Sequence, residues 1–218
     1  MHRLRLARLV LSLSAAAFFA VSTPAMAAPP AGAPAASPAT ATPGRATWDI
    51  DPAHSTVGFV VKHLVIAKVR GNFTTFSGTV VIDDKDPAKS SVTVVIDPAS
   101  VDTDNAQRDK HLKSADFFDV ATFKEMKFVS TKVDKSAAGL KVTGNLTLHG
   151  VTKPAVLDVE GPSAEIKDPG GRPHVAFSAT TTIKRADFGL TWNKAIEGGS
   201  VVGEDVKIEL DIELGNKR

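Results

Sequence analysis

His54-Ser55-Thr56-Val57-Gly58-Phe59-Val60-Val61-Lys62-His63-Leu64 is the stretch whose reading decides the fold. From Ser55 on it is rich in β-branched and aromatic residues, and the turn-forming Asp51-Pro52 precedes it, so it reads as a strand. Side chains alternate along a strand, which places Val57, Phe59, Val61 and His63 on one face. Thr56, Gly58, Val60, Lys62 and Leu64 fall on the other face, which is mixed rather than polar. One apolar row therefore ends in an imidazole. An apolar interior with a polar group at its mouth suits a long hydrophobic ligand with a polar head, provided that other strands close such an interior.

The following segments continue the β pattern. Trp48-Asp49-Ile50 reads as a short first strand. Val69-Arg70-Gly71-Asn72-Phe73 carries apolar residues at odd positions, whereas Phe76, Gly78, Val80 and Ile82 are even. A change of phase without a turn signal implies a bulge or sharp bend near Thr74-Thr75, eased by Gly71 and Gly78 on either side. Asp83-Asp84-Lys85-Asp86-Pro87 is a turn, and Val92, Val94 and Ile96 alternate up to Pro98. The period then changes. Asp102 or Thr103 is positioned to cap a helix through Asn105 to Lys113, the one convincing helix after the leader. Phe117-Phe118 follows and must pack somewhere.

Strands resume at Met126–Val133, Leu140–Leu148, Pro154–Gly161, Val175–Ile183 and Val206–Leu214. In the last, Val206, Ile208, Leu210, Ile212 and Leu214 alternate with Lys207, Glu209, Asp211 and Glu213, so one face is buried and the other is wet. Eight or more short amphipathic strands, one helix and no parallel-sheet pattern predict an all-β antiparallel barrel or sandwich.

The first 46 residues read differently. Arg3, Arg5 and Arg8 precede an apolar run from Leu9 to Val21, and Ala25-Met26-Ala27 is a small-x-small site, so residues 1–27 are expected to be a signal peptide cleaved after Ala27. The apolar run is short for a membrane span. Export of this kind leads to the expectation of a periplasmic protein. Ala28 to Ala46 is nearly all Ala, Pro, Gly, Ser and Thr and is expected to be a disordered linker, leaving 47–218 as the folded domain.

Composition narrows the function classes. The chain has 26 basic and 24 acidic side chains, and loss of the leader's three arginines leaves 23 against 24, so nucleic acid is not an expected partner. With no cysteine, there is neither a disulfide framework nor thiolate chemistry. Among the six histidines, His54 and His63 are nine apart and face opposite sides of a strand. No HxH, HExxH or G-x-S-x-G pattern occurs, so neither a metal, a cofactor nor a serine nucleophile is expected. What remains is a large apolar interior, with Phe59, Val61, Phe73, Phe76, Val80, Leu146 and Leu148 facing inward. His63, His111 and Arg185 are its candidate polar groups.

Several motifs together resemble the YceI-like family of exported polyisoprenoid-binding proteins. They are Trp48-Asp-Ile-Asp-Pro-Ala-His-Ser55, Phe59 to His63, Val69-Arg-Gly-Asn-Phe73, Phe76-Ser-Gly78, His111-Leu-Lys-Ser-Ala-Asp-Phe-Phe-Asp119, Phe128-Val-Ser130, Gly144-Asn-Leu-Thr-Leu-His-Gly-Val-Thr152 and Arg185-Ala-Asp-Phe-Gly189. The resemblance implies a lipocalin-like antiparallel barrel of about eight strands with a helix across it. It also implies an elongated site for an isoprenoid chain, such as a polyprenyl phosphate or a quinone tail. It leaves room for transient membrane contact during lipid exchange and for a homodimer. The family's Tyr-Pro after the helix is replaced here by Thr122-Phe123-Lys124-Glu125-Met126. On this basis the chain is expected to be a carrier or store without chemistry of its own. The alternative is an enzyme or redox-accessory protein acting on a quinone or lipid head group.

Overall fold

The structure is a computed structural model that describes residues 44–216. The expected signal peptide and nearly all of the expected linker lie outside the described residues. In chain order the strands are β1 (Arg45–Ile50), β2 (Thr56–His63), β3 (Ala67–Phe73), β4 (Phe76–Asp83), β5 (Ser91–Ile96) and β6 (Val101–Asp102). The helix α1 (Ala106–Leu112) follows. Then come β7 (Met126–Ser136), β8 (Gly139–Leu148), β9 (Val151–Glu160), β10 (Ile166–Lys167), β11 (Pro173–Lys184), β12 (Ala195–Ile196), β13 (Gly199–Ser200) and β14 (Val202–Gly215). The first strand begins at Arg45, ahead of the Thr47 boundary expected from composition, because Arg45 and Ala46 pair with Asp83 and Ile82 of β4.

The sheet closes on itself. The ring runs β1–β4–β5–β7–β8–β9–β11–β14 and returns to β1, an eight-stranded antiparallel barrel. Closure removes the unpaired edges that an open sheet would present. Three walls are bent and continue beyond the ring: β1 leads into β2, β3 into β4, and β5 into β6, so β2, β3 and β6 extend the wall at one end. No helix among the described residues is long and apolar enough to cross a membrane.

Each bend has a local cause. Between β1 and β2, Asp51 N donates to Glu213 O at 2.9 Å. Ser55 Oγ accepts from Glu213 N at 2.9 Å and donates to Glu213 O at 3.3 Å. The Asp51–Ser55 corner is thus clamped to one residue of β14. At the expected phase change, Thr74 and Thr75 carry the chain from β3 to β4, and their amides donate to Ser100 O and Ser100 Oγ at 3.2 and 3.0 Å. Ser100 ends a short 3-10 turn at Pro98, so neighbouring walls bend at the same level. Gly71 serves packing here: a Cβ would stand 2.5 Å from Phe59 Cζ.

Helix α1 is capped by Asn105, whose side chain accepts from Arg108 N at 2.9 Å, rather than by Asp102 or Thr103. Thr103 instead accepts from Arg108 Nε at 2.7 Å. Seven residues are too few for a helix to hold alone in water. Packing secures this one: its own Leu112, and Phe117 and Phe118 after it, join the main core, which also contains Trp48, Phe73, Leu148, Phe188 and Leu214. A side chain as fully buried as Leu214 contributes about 1.5–3 kcal/mol.

Candidate functional site

A cavity of about 460 Å³ runs along the barrel interior, within the size range of ligand sites. The strands build it by alternation. Val57, Phe59 and Val61 of β2 and Val206, Ile208, Leu210, Ile212 and Leu214 of β14 line it, while the charged residues between them face out. At one end α1 and the segment after it contribute Leu112, Phe117 and Phe118. Phe59, Phe73 and Phe118 form an aromatic chain there, with ring centroids 5.7 Å apart at each step. At the other end Asp83, Asp84, Pro87, Ser90 and Pro162 line it. Asp84 and Pro162 are exposed, so the cavity reaches the surface at the β4–β5 turn.

Its few polar groups are mostly engaged. Asp83 accepts from the backbone amides of Asp86 and Lys85 at 2.9 and 3.1 Å, and the Asp86 amide above all holds its carboxyl below the ordinary value. Two buried side-chain nitrogens have no hydrogen-bond partner among the described residues, Trp48 Nε1 and His174 Nε2 (the latter 3.6 Å from Asp168 Oδ2), and both belong to residues outside the lining. The interior can therefore shelter hydrocarbon along its length, with polar atoms accommodated at the open end.

Seven of the expected site residues line the cavity: Phe59, Val61, Phe73, Val80, Leu146, Leu148 and Arg185. Phe76 does not; it is buried at the start of β4 within the main core. Its place in the row of β4 predicted the inward face but not the depth at which the cavity ends. His63 is not among the lining residues either. It is half-buried at the end of β2, opposite Ala67 and Val202, past the level at which Val61 meets the cavity.

His111 lies behind the wall. Its Nε2 is 2.8 Å from Asp116 Oδ2, and its ring stands edge-on to Phe117 and Trp192 at centroid distances of 5.0 and 4.8 Å. It braces Phe117, which does line the cavity. Arg185 touches the lining, but its donors are committed. Nε donates to Gly203 O at 3.0 Å, Nη1 to Leu190 O and to Trp192 O, and Nη2 to Glu204 Oε1 at 3.0 Å. It is 4 % exposed and ties the Phe188–Trp192 segment to β14. The three expected polar groups thus have different hydrogen-bond partners, and no atom is shared by all three.

Arg70, another cation near a strand end, is also paired. Across Gly58 of β2 it reaches Glu209 at 2.8 Å, and Lys207 joins the same carboxylate at 2.9 Å. Hydrogen bonds from Lys207 and Arg70 hold that carboxyl below its ordinary value.

One cluster was not legible in the sequence. Ligand-type atoms of Asp51, His54 and Glu213 lie within 4.8 Å of one another, although Glu213 is remote in the chain. Both Asp51 oxygens serve the corner, Oδ1 accepting from Ala53 N at 2.8 Å and Oδ2 pairing with His54 Nδ1 at 3.0 Å. Glu213 alternates with the cavity residues Ile212 and Leu214, so the cluster is on the outer face.

The YceI-like domain family matches residues 48–214. The chain belongs to the YceI-like family. A UPF0312 protein of Vibrio parahaemolyticus is 45% identical over 143 residues, covering 65% of this chain and 75% of the relative. Protein YceI of Salmonella newport is 43% identical over 143 residues, with coverages of 66% and 74%. Among solved structures, the YceI protein of Campylobacter jejuni matches with TM-score 0.62 and 34% identity over 72% of this chain and 90% of that one. Burkholderia cenocepacia BcnA matches with TM-score 0.62 and 27% identity over 75% and 98%. A polyisoprenoid-binding domain from Saccharophagus degradans, 22% identical with TM-score 0.55 over 78% and 98%, shares the fold. In the Thr122–Met126 segment, the Phe123 ring meets the His149 ring at a centroid distance of 4.5 Å and a tilt of 59°, and β7 starts at Met126.

Proposed function

We propose that this YceI-like protein is an exported carrier or store for a long isoprenoid lipid, a polyprenyl phosphate or a quinone with its tail in the barrel. The observation that carries the proposal is the continuous apolar cavity from α1 to the β4–β5 turn. Burying hydrocarbon gains about 0.8 kcal/mol per methylene. A tail of several isoprene units therefore gains more than about 10 kcal/mol gross, before the cost of ordering it. The Saccharophagus degradans neighbour, described as polyisoprenoid-binding, supports the same ligand class. Cleavage after Ala27 and a periplasmic location complete the proposal, in keeping with the sequence of residues 1–27.

The protein works by binding rather than by chemistry. An enzyme acting on a quinone or lipid head group would need His63, His111 and Arg185 to converge, and no observation favours that. The test is uptake of added polyprenyl phosphate and of a long-tailed quinone, delivered from detergent and read by co-elution. Stoichiometric uptake of either is expected, and refusal of both would overturn the proposal. The intact mass of exported protein should start at Ala28; retention of residues 1–27 would overturn the export component.

A further inference from the structure

The turn between β2 and β3 carries Leu64, Val65 and Ile66, which are 41, 50 and 88 % exposed. Three of the six exposed large apolar residues among the described ones thus fall on a single turn. Its backbone is unusual. Leu64 and Val65, in the three-residue loop between the paired His63 and Ala67, have φ of 51° and 66°, the left-handed region that hairpin turns normally fill with Gly, Asn or Asp. A β-branched residue there is strained, and such outliers concentrate at functional positions. The turn is held in place: Leu64 N donates to Val201 O at 2.9 Å, and a Cβ on Gly199 would come within 2.8 Å of Val65 Cγ2, so β13 supports it from one side.

The flanks are cationic. Lys62 and Lys68 stand directly opposite each other across the hairpin, a placement that repels. Neither has an ion pair among the described residues, whereas Arg70, further along, is neutralised by Glu209. Lys194, at 6.0 Å from the Trp192 ring, is exposed at the same end; of the acids nearby, Glu204 and Asp205, which follow the Gly203 packed on Lys62, are paired with Arg185 and Lys184, and Glu197 sits on the β12–β13 turn. Three projecting apolar side chains on a convex tip are too few for a protein interface of ordinary size. An apolar wedge with unpaired lysines behind it suits a headgroup region carrying negative charge.

We propose that the β2–β3 turn docks this protein on an anionic phospholipid bilayer, with Leu64, Val65 and Ile66 entering the interface and Lys62 and Lys68 at the phosphates. The β4–β5 turn, where the cavity reaches the surface, is elsewhere on the barrel: Asp83 pairs with Arg45 of β1, whereas His63, at the docking turn, pairs with Val202 of β14. The proposal extends the carrier reading, which supplies a reason for docking, but it stands on the turn itself.

The test is flotation of the purified mature protein with phosphatidylethanolamine–phosphatidylglycerol vesicles and with pure phosphatidylcholine vesicles. Wild type should float with the first and bind the second more weakly. Ile66→Ser should lower partitioning more than about tenfold, and Lys62→Gln and Lys68→Gln roughly fivefold each on the anionic vesicles. Because the chain has no cysteine, a polarity-sensitive dye on Ala67→Cys should shift to the blue on binding, and one on Lys85→Cys on the β4–β5 turn should not. Unchanged melting of the variants keeps the comparison to the turn. Failure of wild type to bind, equal binding by Ile66→Ser, or a shift at Lys85→Cys alone would overturn the proposal. So would an Ile66→Ser effect confined to oligomeric state, which would make the turn a subunit contact. Lipid uptake from detergent does not involve the turn, so loss of docking with uptake retained would leave the carrier reading standing.

Discussion

Replacing Phe59 by Asp tests the inward face of β2. The ring lines the cavity, stands 5.7 Å from Phe73 and occupies the space left by Gly71. Truncating a core phenylalanine costs about 3–5 kcal/mol. Phe59 is half-buried beside an open cavity, which places it near the lower end, of which the aromatic contact accounts for about 0.5–1.5 kcal/mol. The introduced carboxyl adds a term that depends on pH. In apolar surroundings its pKa rises above the ordinary value of about 3.9. Between that value and the raised one the unfolded chain binds fewer protons than the native one, so stability falls as pH rises. Urea unfolding of Phe59→Asp and Phe59→Asn should therefore give similar stabilities near pH 4. Above that, Phe59→Asp should fall progressively below Phe59→Asn, and both should lose lipid uptake. Coincident curves at every pH, with uptake intact, would place residue 59 on the outer face and refute the cavity assignment.

Arg185→Met should cost about 3–5 kcal/mol in urea unfolding, since it strands the carbonyls of Leu190, Trp192 and Gly203; a neutral result would show that these bonds are not made. His63→Gln should leave lipid uptake unchanged across the pH range in which imidazole titrates, because His63 lies outside the lining; a changed profile would return the polar end to β2. The Asp51 carboxylate, by its hydrogen bond and then its charge, holds His54 above the ordinary 6.5, while the His54 contact, followed by the Ala53 amide, holds Asp51 below 3.8. Below pH 6.5 the His54 contribution is fully present, and it is lost as pH rises through the raised value. The Asp51 contribution is present above pH 3.8 and lost as pH falls through the lowered value. NMR titration of the His54 ring should show the upward displacement, and Asp51→Asn should remove most of it, leaving only the smaller effect of the Glu213 charge.

The barrel was legible because alternation is a local property. Ile208, Leu210 and Ile212 announce an inward row, and the lost phase at Thr74-Thr75 announces the bend. Alternation fixes which face a side chain occupies but not how far along the barrel the cavity extends. Phe76 and His63 therefore share a face with lining residues and still lie outside the cavity. Arg185 reads as a free cation because nothing local signals that the carbonyls of residues 190, 192 and 203 will converge on it. The cap of α1 is Asn105 because Thr103, equally suited by type, is taken by Arg108 and Asp109. Phe117 and Phe118 were recognisable as buried, but only the tertiary fold shows that they line the cavity. The inward rows of β11 and β14 carried the alternation signal for lining residues from the start.

The central claim is that the barrel holds an isoprenoid chain, and organic extraction of protein purified from its own exported compartment tests it most directly. Mass spectrometry of the extract should show an isoprenoid lipid at close to one per barrel, absent from the extract of Phe59→Asp. A wild-type extract with no isoprenoid, from protein that also refuses added polyprenyl phosphate and quinone, would contradict the claim.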